Sequence, residues 1–207
     1  MRGGIVAIAG PDGAGKTALA MRLVDRFGTD ATMRIHQRPR ALPRRTEDRV
    51  VTRPHAARPY GRVASYAKIA YLFLDTFVGW RLQLLPLVQR GILVIVERPW
   101  PDIAVDPRRY RIDVPPAAAS FLGRLLPQPD LLLLMRAPAA VLRQRKPELP
   151  LEETERQLAA WQGVAPPSDR CVHLDAAEPL DIVVERAARA ITSAGLVPSP
   201  RSPSSCA

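Results

Sequence analysis

An apolar run at residues 5–9 leads directly into Gly10-Pro11-Asp12-Gly13-Ala14-Gly15-Lys16-Thr17, and no other segment restricts the fold as tightly. Glycines in such a turn let backbone N–H groups curl around phosphate oxygens, and the helix that follows aims its positive end at them. The G-x-x-x-x-G-K-[ST] spacing sets Lys16 to reach the β and γ phosphates and the Thr17 hydroxyl to ligate Mg²⁺. Gly10, Gly13, Ala14, Gly15, Lys16 and Thr17 are therefore the expected contacts for ATP and Mg²⁺. A strand, a phosphate cradle and a helix in that order belong to an α/β fold.

The rest of the chain alternates in the same way. Leu19, Leu23 and Phe27 recur at helical spacing within residues 17–27. Short apolar runs predict strands at 31–36, 92–96, 130–135 and 171–174. Helices are predicted over 65–90 (broken near Pro86), 115–126, 138–145, 151–162 and 180–193. This alternation predicts a P-loop kinase fold: a parallel sheet of about five strands, helices on both faces and a small lid. Ligands of such sheets sit beyond the carboxyl ends of the strands. At 207 residues the chain suits one domain, expected over 1–195. An Arg- and Pro-rich insert occupies 40–65, and a Pro/Ser-rich tail over 196–207 is expected to be disordered.

Thirty Lys and Arg face twenty Asp and Glu, a formal charge of +10, and the only lysines are at 16, 68 and 146. The molecule should attract anions, and arginine forks suit phosphates. Cys171 and Cys206 make no disulfide framework, which points to a reducing, cytoplasmic compartment. The apolar runs are too short to span a bilayer, so no membrane partner is expected. Arginines crowd residues 38–62, but aromatics make up only 5% of the chain. Few bases could be stacked, and a nucleic-acid binder remains a minor alternative. No N-K-x-D segment is present to read a guanine base, and larger ATPase engines need a longer chain; a small kinase is the expectation.

The glycine-rich loop resembles that of bacterial thymidylate kinases, which carry G-x-[DE]-G-[AS]-G-K-[ST]. Gln37-Arg38-Pro39 falls where that family has Arg-Glu-Pro. Leu72-Phe73-Leu74-Asp75 resembles its Leu-Phe-x-Ala-Asp-Arg helix, and Gly91 to Arg98 its strand ending in Asp-Arg-Tyr. The resemblance spans about residues 3–193. It departs at Glu97-Arg98-Pro99, closer to the Glu-Arg pair of deoxynucleoside kinases, and at Thr76, where the family has arginine. It implies that Asp12 meets the acceptor's sugar hydroxyl, that Arg38 and Asp75 lie at the acceptor, and that Asp102, Asp106, Arg108, Arg109 and Tyr110 form a charged loop over the site. It also places a lid at about 143–153, with Arg143 on ATP, Arg145 on the transferred phosphoryl group and Lys146 beside them, and adenine near residues 176–179.

Chemistry adds roles to these positions. Arg98, at a strand end, can bridge donor and acceptor, and Glu97 can hold Mg²⁺ through water or meet an acceptor hydroxyl. Two functions stay open for a small-molecule acceptor. Arg38 and Arg98 suit a nucleoside monophosphate such as dTMP. Asp12 as general base, with Glu97, suits a hydroxyl on a sugar, nucleoside or metabolite. A homodimer is the expected assembly.

Overall fold

The computed structural model describes residues 3–37, 39, 41, 59–147, 150–164 and 170–198. Strands β1 (Gly4–Ala9), β2 (Thr32–Ile35), β3 (Leu93–Glu97), β4 (Leu131–Arg136) and β5 (Cys171–Asp175) form one sheet in the order β2-β3-β1-β4-β5. Every neighbouring pair is parallel. β1 is central, with Ile8 level with Glu97 of β3 on one side and with Leu133 of β4 on the other. The carboxyl ends of β1, β3 and β4 therefore open together.

Being buried on both sides, the strands carry apolar residues on both faces. One face is a single continuous cluster: Val6, Ile8, Ile95 and Leu133 meet Leu19 and Leu23 of α1 (Lys16–Phe27) and Val183, Ala187 and Ile191 of α8 (Leu180–Ser193). The other face is covered by α2 (Arg62–Gly79), α3 (Leu85–Gln89), α4 (Pro101–Val105), α5 (Pro116–Leu125) and α7 (Leu151–Val164), with α6 (Ala139–Arg145) leading into α7. Here the buried residues separate into distinct clusters.

Several boundaries differ from the sequence reading. The long helix does not break at Pro86. It starts at Arg62, inside the segment read as an insert, and passes through a π-helical turn, Trp80–Leu84, into α3. Pro86 falls in the first turn of α3, where the widened hydrogen-bond ladder before it tolerates its missing N–H. The stretch after β3, read as a charged loop, is α4 followed by a 3₁₀ turn at Pro107–Tyr110, capped by the Asp106 side chain accepting from Arg109 N–H at 3.1 Å. Order also continues past residue 195: Leu196 is 3% exposed and packs within the α1–α8 cluster. Most of the 40–65 insert lies outside the described residues.

If Leu196 is part of the core, Leu196→Ala should cost about 2–5 kcal/mol in urea unfolding. A loss within about 0.5 kcal/mol, as for an ordinary surface position, would return the residue to a loose tail.

Candidate active site

The turn leaving β1 is forced to be glycine-rich by what lies against it. Gly10 has φ +135, and a Cβ there would come 2.5 Å from the Met135 carbonyl oxygen at the end of β4. Gly13 (φ +85) likewise lies under the last turn of α6, where a Cβ would meet the Leu142 oxygen at 2.9 Å. Gly15 caps α1 in the left-handed conformation. The loop so formed points the amino end of α1 outward between β1 and β4, which is an anion-binding geometry. Ala14 is buried beneath it. Lys16 is buried too, its Nζ donating to the Gly10 oxygen at 2.6 Å and the Pro11 oxygen at 2.8 Å. Burial lowers its pKa to about 8.

Asp12 is the hub. Its carboxylate accepts from Arg98 at 2.9 Å and Arg109 at 2.6 Å, with Lys146 at 3.4 Å and Lys16 at 3.7 Å. Burial pushes its pKa up, but the charges of Lys16, Arg98 and Arg109 outweigh that and hold it far below the usual carboxylate range. Arg98 leaves β3 with φ +51, a conformation rarely adopted by a residue with a side chain. Its N–H still donates to the Ile8 oxygen at 3.2 Å, so the β1·β3 pairing holds it there. Burial lowers the Arg98 pKa, yet Asp12 and Asp102 raise it overall and keep the guanidinium charged.

Asp102 completes the charge cluster from α4. Its Oδ2 lies 3.7 Å from Arg98 Nη1, while its buried Oδ1 has no hydrogen-bond partner among the described residues. Burial dominates and pushes its pKa up to about 6.

A second group gathers around Glu97 at the end of β3. Thr17 Oγ1 donates to Glu97 Oε2 at 2.6 Å, and Arg34 Nε donates to Oε1 at 2.5 Å, with His36 Nδ1 at 3.3 Å. Burial would raise the Glu97 pKa, but the bonds from Thr17 and Arg34 hold it below the ordinary value. Thr17 and Glu97 supply the hard oxygens that suit Mg²⁺ beside a bound triphosphate, so the donor set fits that ion.

The sequence-selected residues thus divide. The structure brings Asp12, Lys16, Arg98, Asp102 and Arg109 together, and pairs Thr17 with Glu97. Tyr110 packs beside the cluster under α2, and its backbone oxygen accepts from Lys68 at 2.6 Å. Asp75 is buried and accepts from the Ala41 N–H at 2.8 Å, tying the segment after β2 to α2. Arg108 lies within the 3₁₀ turn, next to Arg109. Arg38 lies outside the described residues.

The lid differs in detail. Lys146 is the cation that meets Asp12, whereas Arg145 donates to the Ala176 oxygen at 2.7 Å, crossing to the β5–α8 turn, and Arg143 is exposed on α6. Arg145 is the last residue of α6, whereas Lys146 is its C-cap with a non-helical φ of −149, so the two side chains leave the helix end in different directions. Sequence reasoning missed Arg34 and His36. The only signal was a pair of basic side chains two residues apart at the end of an edge strand, where they share a face.

No protein-family model matches the chain. It is 31% identical over 144 residues to a curated thymidylate kinase of Xylella fastidiosa (strain M12), covering 69% of this chain and 63% of that protein. The chain thus matches less than two thirds of that relative's length. Among solved structures, a thymidylate kinase from Candida albicans superposes with a TM-score of 0.68 at 16% identity, over 94% of this chain and 93% of that one. A thymidylate kinase from Ehrlichia chaffeensis gives 0.63 at 14% identity, over 93% and 99%. The chain is thymidylate kinase-like, and its fold is the P-loop kinase fold of those structures.

The raised pKa of Asp102 makes a signed prediction. The folded carboxyl titrates near 6 and the unfolded one near about 3.9. The folded state therefore binds the extra proton, and Asp102 costs stability increasingly as pH rises from about 4 to about 6. Asp102→Asn should raise Tm at neutral pH, with a gain over the parent that grows from about pH 4 to about pH 6 and then levels off. A Tm difference independent of pH across that window would show that the carboxyl is not buried as described.

Proposed function

We propose that the chain is an ATP-dependent nucleoside-monophosphate kinase acting on dTMP or a close relative. The observation that carries this reading is the convergence of Lys16, Arg98, Arg109 and Lys146 on one carboxylate. In the free protein Asp12 is the counter-ion of cations that suit phosphate oxygens. Its depressed pKa makes it a weak proton acceptor, which argues against the hydroxyl-kinase alternative, where a base is needed. A phosphate monoester is already a competent nucleophile.

In this reading the loop from Gly10 to Gly15 and the amino end of α1 hold the β and γ phosphates of ATP. Thr17 and Glu97 would hold Mg²⁺, which would neutralise charge on the triphosphate. The acceptor's phosphate oxygen bonds to the γ phosphorus as the bond from that phosphorus to the β–γ bridging oxygen breaks, leaving ADP and a nucleoside diphosphate. Lys16 and Arg98 offset the charge on the transferred group, and Arg98 and Arg109 orient the acceptor. Arg34 and His36 fix the Glu97 carboxylate. Arg145 and Arg143 are assigned to the adenine side and Asp75, Tyr110 and Asp102 to the acceptor side, with a role for Arg38 at the acceptor resting on the sequence resemblance alone.

The reading further supposes a homodimer. On α2, Val63, Tyr66, Leu74 and Phe77 are 86%, 47%, 55% and 40% exposed. They form one stripe, opposite the buried Ser65, Ile69 and Leu72. Exposed apolar stripes of this kind are favoured contact surfaces. A cytoplasmic setting accords with the buried free thiol of Cys171. No helix among the described residues is long and apolar enough to cross a membrane.

ADP release with ATP, Mg²⁺ and dTMP tests the activity. Lys16→Ala should abolish transfer; activity within tenfold of the parent at about 1.4 kcal/mol of barrier would refute the donor-site assignment. Asp12→Asn should act mainly on acceptor KM. A fall in kcat of roughly 10²–10⁴ at unchanged KM would instead identify Asp12 as a general base and replace the phosphate acceptor with a hydroxyl.

Leu74→Glu should shift the protein to monomer in analytical ultracentrifugation. An unaltered sedimentation profile would remove α2 as the interface.

A further inference from the structure

The two faces of the sheet are packed differently. The face under α1 and α8 is one unbroken cluster, whereas the opposite face holds separate clusters around Leu84, around Trp100 and around Trp161. Between them lies a cavity of about 360 Å³. That is far larger than the small voids of a close-packed interior and within the range of small-molecule sites. Its floor is the sheet itself, at Ile5, Ala7, Val96 and Leu132.

Small residues create it. Ala7 lies on the central strand, where larger side chains would fill the space, and Ala104 faces it from α4. Gly123 lets α5 approach the Trp100 indole so closely that a Cβ would lie 2.5 Å from Cδ1. Ser120, Arg124 and Arg170 contribute polar surface to the lining, but most of it is apolar, and other polar atoms there are already satisfied by the backbone. Thr76 Oγ1 donates to the Leu72 oxygen at 2.7 Å, and Trp100 Nε1 to the Ala119 oxygen at 2.7 Å. Gln128 Nε2, at the far end, donates to the Gly123 and Leu126 oxygens. What these residues present inward is methyl groups and an indole.

The cavity wall and the charge cluster share the β3–α4 connection. Pro99 and Trp100, in its wall, directly follow Arg98, and α4 carries Ala104 into the cavity two residues after Asp102. From Pro39 and Pro99 it runs along β1 to Leu126 and Pro129, toward the amino edge of the sheet. We infer that the acceptor is a phosphate monoester whose far end is an extended apolar ring or chain, larger than a lone thymine, lodged in this cavity. The inference rests on the phosphoryl-transfer reading for the phosphate end and on the cavity for the apolar end. Thr76 and Ala7 then determine specificity by leaving room instead of offering hydrogen bonds.

The test separates the two readings. Binding of a series from methyl to hexyl phosphate is measured without ATP, by quenching of tryptophan emission and by calorimetry. In parallel, ADP release is measured with dTMP and with each ester. Affinity should tighten by about fourfold per methylene until the cavity is full, the worth of burying one CH₂. Ala7→Leu, which fills the cavity from the central strand, should weaken hexyl phosphate at least tenfold, about 1.4 kcal/mol, and leave methyl phosphate unchanged. If that variant fails to fold by circular dichroism, Leu126→Phe shortens the cavity from its far end and should have the same effect. A flat series, or a gradient that the folded variant preserves, overturns the inference. Transfer to dTMP with a flat series sinks the apolar site alone. A gradient without transfer to dTMP or to any ester sinks the kinase reading and leaves the apolar site standing.

Discussion

Parallel pairing of β1 on both sides is the constraint on which the molecule depends. With β3 and β4 hydrogen-bonded to its two edges, β1 delivers its carboxyl end into a space already bounded by their ends. The chain can leave only by a turn that passes against the Met135 oxygen, with no room for a side chain at Gly10. The same pairing carries Arg98 N–H onto the Ile8 oxygen and holds Arg98 in its left-handed conformation. The phosphate cradle and the arginine that faces it are thus consequences of one sheet register.

Electrostatics then organises what the sheet has gathered. Lys16, Arg98, Arg109 and Lys146 come from four separate segments, and their mutual repulsion is offset by Asp12 in the middle. Asp102 adds a second carboxylate that burial makes reluctant to ionise. The two acids therefore differ sharply in character although both touch Arg98, because one is surrounded by hydrogen-bond donors and the other has an oxygen with no donor among the described residues. Glu97, though next to Arg98 at the end of β3, is held by Thr17 and Arg34, so its carboxylate is turned to a separate group of partners from the Asp12 cluster.

Packing asymmetry supplies the remaining element. One face of the sheet is filled by α1 and α8 and serves to hold the cradle rigid. The other face is roofed by helices that carry small residues where they cross the strands, and the space left is apolar. Stability is concentrated on the first face and room for a ligand on the second. Close-packed interiors lose contacts wherever a void persists, so such a division makes sense where the void has an occupant.

The sequence by itself determined the strand–helix alternation, the cradle from Gly10 to Thr17 and the charged end of β3, because each is set by local periodicity or by backbone sterics within a few residues. It also marked Asp12 and Arg109 as residues of the site, though not that one binds the other. The tertiary structure alone decided which lid cation reaches Asp12: Lys146 and Arg145 are neighbours in the chain, and α6 ends between them, so they meet different partners. It also decided that Arg34 would serve Glu97, since a contact between strands is set by register, and that Leu196 would be core. The cavity, above all, has no sequence signature. Ala7, Thr76 and Gly123 are unremarkable one at a time and leave a space only because three elements distant in sequence bring them to the same place.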